Sequence, residues 1–121
     1  MTIEGYIERV ANRYMSYYKV LVSAASYFGE VIEDTFDYID EYIFNEWQGS
    51  FYVISVKTDD GVKNIAVNTH WCDYDIDGVE TLEVYEDYEE GGYNHARHLI
   101  DRDGNLYRYN DKTYSYEKVE R

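Results

Sequence analysis

The chain has 121 residues, with 16 tyrosines and no proline, and its 25 acidic and 11 basic residues give a net charge of −14. This length fits one domain that buries its own core, and such a charge excludes direct binding to nucleic acid or to anionic membranes. No apolar run is long enough to cross a membrane and no basic region precedes an apolar stretch at the start, so neither a membrane span nor a signal peptide is expected.

The N-terminal third of the chain has the apolar spacing of helices. Apolar residues recur every three or four positions over about 3–28, and the same pattern resumes over about 30–47. One continuous helix across both segments would be about 68 Å long, which is far longer than a domain of this size. The sequence therefore predicts two packed helices, or a sharp bend. The break is expected near Gly29, a residue type that often follows a helix C-terminus, or slightly earlier in Ser23-Ala24-Ala25-Ser26.

The remainder of the chain has the alternating pattern of β-strands. Apolar and polar residues alternate from Phe51 onward, and Asp-Gly pairs at 60–61 and 103–104 are typical of hairpin turns. These signals predict antiparallel hairpins over about 51–119. Because helices precede strands, we predict an α+β fold in which residues 1–121 form a single domain, with two N-terminal helices packed on an antiparallel sheet of four to six strands.

The excess negative charge lies in two segments that contain no Lys or Arg. Residues 30–50 hold seven acidic residues. On the predicted second helix, six of them would share an arc of roughly 120°, with neighbours about 5–6 Å apart, which is similar to the spacing of phosphates along a nucleic-acid strand. These six candidate binding residues are Glu30, Glu33, Asp34, Asp37, Asp40 and Glu41.

The second segment, residues 70–92, holds nine acidic residues interleaved with tyrosines. Carboxylates supply countercharge to a basic cleft, and tyrosine rings supply faces on which Arg stacks. Candidate binding residues here are Asp73, Asp75, Asp77, Glu83, Glu86, Asp87, Glu89 and Glu90. The alternative interpretation is an ordinary solvated surface, with the tyrosines serving only to pack the sheet.

Two patterns suggest metal ligands without completing a known site. Asp73, Asp75 and Asp77 match the first half of an EF-hand calcium loop, but its second half fails because its last ligand position is Val84. For zinc, the chain offers only four nitrogen and sulfur ligands in two pairs, without the paired-cysteine spacing of zinc sites: His70, Cys72, His95 and His98. We therefore predict no cofactor, and keep the three aspartates as weak calcium candidates.

Catalytic signatures are missing from the sequence. There is no glycine-rich phosphate loop, no nucleophile elbow and no zinc-protease motif. Carboxylate pairs are so frequent that none identifies an acid and a base. The single cysteine, Cys72, excludes an internal disulfide and suits a reducing compartment. The sequence therefore predicts a protein that is not an enzyme.

The chain resembles the small acidic proteins that phages and mobile elements use against host defence, which include anti-restriction proteins and anti-CRISPR inhibitors of Cas9-type nucleases. The resemblance rests on the single-domain size, on the acidic stretches Glu30 to Glu46 and Asp73 to Glu90, and on helices followed by hairpins such as Tyr52 to Lys57 returning through Asp60-Gly61. It implies that the carboxylates occupy the DNA-binding or PAM-reading cleft of the target.

The expected function is therefore a non-enzymatic inhibitor that mimics the charge of nucleic acid. Its partner would be a basic nuclease in the cytoplasm of a bacterial host, and the protein itself would be a monomer or a homodimer. Two alternatives remain at this point: an immunity protein for a basic nuclease toxin, and a small module that binds calcium or zinc.

Overall fold

Seven antiparallel strands and one helix make up the computed structural model, which describes residues 15–73, 75–92 and 94–121. Helix α1 occupies residues 15–25. The strands are β1 (Glu30–Ile43), β2 (Glu46–Thr58), β3 (Gly61–Asn68), β4 (Thr81–Tyr85), β5 (Ala96–Asp101), β6 (Leu106–Asn110) and β7 (Ser115–Lys118). They form a single sheet in chain order, so that β1 and β7 are its edges.

The main core lies between α1 and one face of the sheet. Side chains alternate between the two faces of a strand, and one set of alternate residues in the central strands is apolar. Leu21, Ala24 and Ala25 of α1 are fully buried against this set. The sheet residues of this core are Ile54, Val56, Ile65, Val67, Leu82, Val84, Ile100 and Leu106. We call the opposite side of the sheet the open face.

The structure corrects the predicted helices. The segment predicted as a second helix over 30–47 is instead β1 and the start of β2. The predicted α+β fold, with two helices packed on a sheet of four to six strands, is therefore wrong, because the sheet has seven strands. The first predicted helix is present over 15–25, and its earlier part, 3–14, lies outside the described residues. Helix α1 ends at residue 25, within the earlier of the two predicted break positions, but β1 and not a second helix follows it. The strands predicted over 51–119 are also present.

A large bulge explains why β1 has helical apolar spacing. The pairing of β1 with β2 jumps from Ile32 opposite Ser55 to Asp37 opposite Val53, so several β1 residues face one residue of β2. The bulge shifts the strand's alternation, and apolar residues then recur at intervals of three and four. Thr35 closes it: its hydroxyl donates to the Ile32 carbonyl at 2.6 Å and accepts from the Ser55 amide at 2.8 Å.

Over the described ranges, the structure has neither a membrane-spanning helix nor a cluster of metal ligands. No helix there combines the length and the apolar character needed to cross a bilayer. The same residues contain no group of three or more His, Cys, Asp or Glu side chains placed to hold a metal ion. The calcium candidates Asp73, Asp75 and Asp77 and the zinc candidates therefore do not converge on a site in that part of the chain.

His98 lies on the α1 side of β5 and is buried. Its ring meets Phe28 edge to face at 5.0 Å, and its Nδ1 has no hydrogen-bond partner among the described residues. Burial lowers the pKa of His98; the negative charge of Glu86 opposes this shift and the positive charge of Arg108 adds to it. The folded protein therefore favours neutral His98 more strongly than the unfolded chain does.

We expect this burial to make the protein less stable in mild acid. A group whose pKa is lowered by folding contributes stability above its unfolded pKa, near 6.5, which is lost as the pH falls through its folded pKa. The free energy of unfolding, measured by urea denaturation between pH 7.5 and 5.5, should fall by up to about 1.4 kcal/mol per pH unit, the limit for one group. His98→Phe should flatten this slope and His70→Asn should keep it. An unchanged slope in His98→Phe would contradict the assignment.

Candidate protein-binding surface

The first acidic segment follows the edge strand β1. The helical arc predicted for its six carboxylates does not exist, because alternation along a strand sends neighbouring side chains to opposite faces. Asp37 and Glu41 lie on the open face, Asp40 lies on the α1 side, and Glu33 and Asp34 lie in the bulge. Glu30, Glu33, Asp34, Asp37 and Asp40 are exposed, whereas Glu41 is only 9% exposed. The segment is thus an acidic sheet edge.

The loop after β4 brings part of the second acidic segment to the same edge. Tyr88 is 2% exposed and packs on the open face against Val53 and Ala66. Its amide donates to the Asn64 carbonyl of β3 at 2.8 Å, which holds the loop against the sheet. Glu89 and Glu90 therefore line one shallow groove together with Asp37 of β1.

A buried hydrogen bond joins the two acidic segments directly. The Tyr88 hydroxyl donates to Glu41 Oε2 at 2.8 Å. Burial raises the pKa of Tyr88, and the hydrogen bond to Glu41 and the negative charges of Glu41 and Glu90 raise it further. Tyr88 therefore keeps its proton and remains a donor to the carboxylate in neutral solution. The contact connects residues that are 47 positions apart.

Further carboxylates lie beside tyrosines along the open face. The Tyr85 hydroxyl donates to Glu83 Oε2 at 3.0 Å, and the pKa of Tyr85 is raised by burial, by Glu83 and by the charge of Glu41. Burial and the charges of Asp75 and Glu83 likewise raise the pKa of Tyr116. Glu41, Glu83 and Asp75 therefore act on neighbouring rings, and the open face combines negative charge with aromatic surface.

Few of these charges are neutralised by cations. The described residues form three ion pairs, of which only Lys63–Glu86, at 3.5 Å, involves a predicted binding residue. The other two join Arg102 to Glu80 and Arg97 to Asp111. Asp73, Asp77 and Asp87 are exposed in the loops on either side of β4. The acidic surface is therefore available to an external cationic partner.

Sequence reasoning missed the end of the β1–β2 hairpin, residues 42–47, which we call the hairpin tip. All six are exposed, and Phe44 is 97% exposed. Phe44 and Asn45 form a two-residue turn with φ of 51° and 65°, the left-handed conformation of a type I′ turn. The sequence does not reveal this turn, because Phe-Asn is not one of the residue pairs that signal it.

The base of the hairpin tip is ordered by a carboxylate. Asp40 Oδ1 accepts hydrogen bonds from the Trp47 indole at 3.1 Å and from the Tyr38 hydroxyl at 3.0 Å. Asp40 itself is exposed. One acidic residue thus fixes two aromatic side chains on the α1 side of the hairpin.

Comparison with protein-family models, with curated proteins and with solved structures finds no match to this chain.

Proposed function

We propose that this protein is a non-enzymatic inhibitor that presents carboxylates in place of a nucleic-acid backbone. It blocks the DNA-binding cleft of a basic nuclease, such as a CRISPR (Cas9-type) or restriction enzyme, in the cytoplasm of a bacterial host. The observation that carries this proposal is the junction of the two cation-free acidic segments through Glu41 and Tyr88. Next to this junction, exposed carboxylates from both segments, Asp37 with Glu89 and Glu90, line one groove although they are far apart in the chain.

The groove beside β1 supports this proposal. Asp37 brings charge from the first acidic segment to its lining, and Glu89 and Glu90 bring charge from the second. A cleft lined by Lys and Arg gains countercharge from such a surface without reading any base.

A cleavage-protection assay tests the proposal. A guide-loaded Cas9-type nuclease, two restriction enzymes and one basic toxin nuclease are each given labelled DNA, with and without this protein, at 50 and 200 mM salt. We expect inhibition of one Cas9-type or restriction enzyme, weaker at the higher salt and relieved by excess DNA, because both ligands compete for one cationic cleft.

Three outcomes contradict the proposal. Equal weak inhibition of every enzyme would indicate nonspecific polyanion behaviour. Inhibition of the toxin nuclease alone would indicate an immunity protein. No inhibition of any enzyme at 50 mM salt, with the protein in excess over the nuclease, would remove the support for an inhibitor of this class.

A further inference from the structure

The side chain of Phe44 does not contribute to the stability of the fold through burial. It is 97% exposed, so burial does not stabilise it. Its φ of 51° lies in the left-handed region, which is unfavourable for bulky L residues and which Gly adopts freely. A two-residue hairpin turn of this type favours Asn or Gly. Neither burial of the ring nor the geometry of the turn therefore explains a phenylalanine at this position.

The neighbours of Phe44 in the hairpin tip are also large exposed side chains. Tyr42, Ile43 and Trp47 are among the exposed large apolar side chains of the chain. The indole of Trp47 is held by Asp40, so part of this surface is ordered before any partner binds. Ordered aromatic residues are the type of side chain that dominates binding energy at protein interfaces.

We infer that the hairpin tip anchors this protein to its target by inserting Phe44 into an apolar pocket whose rim carries Lys and Arg. The charge around the tip favours a partner with a basic rim, because residues 30–50 hold seven acidic residues and no basic one. A second copy of the chain would bring the same negative charge to the contact, which disfavours self-association through the tip. The inference rests on the proposed function, since the partner is the inhibited nuclease.

The test compares Phe44→Gly with wild type on the nuclease inhibited in the protection assay. Loss of a buried aromatic anchor should raise the concentration needed for half-inhibition by about 30-fold. The ratio of that concentration at 200 and 50 mM salt should stay the same, because no charge is lost. The melting temperature should rise, because Gly relieves the turn.

Tyr114→Gly is the matched control. Tyr114 is also an exposed aromatic residue at positive φ, with 81% exposure and φ of 54°, but it lies in the turn before β7 at the other edge of the sheet. This variant should also raise the melting temperature while leaving inhibition unchanged. Equal loss of inhibition in both variants would overturn the inference, because it would not be specific to the hairpin tip.

The remaining outcomes separate this inference from the proposed function. If Phe44→Gly inhibits as well as wild type while replacement of Glu33, Asp34 and Asp37 of β1 by lysine weakens inhibition, the anchor is wrong and charge mimicry stands. If Phe44→Gly loses inhibition while the lysine substitutions have no effect on it, the anchor stands and charge mimicry is wrong. If wild type inhibits no enzyme, both are wrong. A wild-type dimer that Phe44→Gly converts to a monomer in sedimentation would also overturn the anchor.

Discussion

Replacing Glu33, Asp34 and Asp37 together by lysine is expected to weaken inhibition of the target nuclease about 10²–10³-fold. Each change replaces attraction to a cationic cleft by repulsion, and three changes at about 1 kcal/mol or slightly more each give this factor. All three residues are exposed and have no ion pair within the described part of the chain. Half-inhibition in the cleavage assay at 50 and 200 mM salt measures the effect, and the dependence on salt should also become weaker.

The matched control has the same change in charge at other exposed acids. Asp60, Asp103 and Glu120 lie outside both acidic segments and are exposed. Their triple lysine variant should inhibit within about threefold of wild type, because long-range charge is screened beyond about 10 Å at 0.1 M salt. Equal loss in both triple variants would show that only net charge matters. Glu41 is left intact in both, because it is buried.

Tyr88→Phe is expected to lower the free energy of unfolding by about 2 kcal/mol. The substitution removes the hydroxyl that donates to the buried Glu41 carboxylate, and a hydrogen bond to a buried charge contributes about 1.5–3 kcal/mol. Urea denaturation at pH 7 measures the change. Because the ring remains, the apolar packing with Val53 and Ala66 is kept.

Tyr85→Phe provides the comparison for Tyr88→Phe. Tyr85 also donates to a carboxylate, but its partner Glu83 is exposed and water can replace the lost hydroxyl. We expect a change below about 0.5 kcal/mol. In a double-mutant cycle, Glu41→Leu with Tyr88→Phe should be more stable than the sum of the single changes predicts, because neither polar group is then left alone. Simple additivity would argue against a coupled pair.

The strands after residue 50 could be predicted because local signals agree there. Alternation is regular in β2 and β3, and Asp60-Gly61 marks the turn between them. The second helix was wrong because the bulge after Ile32 breaks the alternation of β1 and leaves spacings of three and four. The strand tendency of its β-branched and aromatic residues was the competing signal, and pairing with β2 decided the outcome.

The charge content of the candidate surface could be read from the sequence, but its geometry could not. The two segments that lack Lys and Arg can be identified from the sequence alone, because their charge depends only on which residues they contain. The burial of Glu41 by Tyr88 depends on a loop that folds back across the open face, and nothing near either residue indicates this contact. The exposure of Phe44 could not be predicted either. It results from the turn between β1 and β2, and the residues next to Phe44 in the sequence do not indicate it.

The order of the strands bears on how fast the chain finds its fold. Each strand of the sheet pairs only with strands adjacent to it in the chain, and even the most widely separated ladder partners, Glu30 and Lys57, belong to one hairpin. Little loop-closure entropy is therefore lost before pairing begins, unlike in sandwiches that join distant strands. The sheet can grow by one hairpin at a time, and α1 docks on it through contacts such as that of Tyr17 with Thr69.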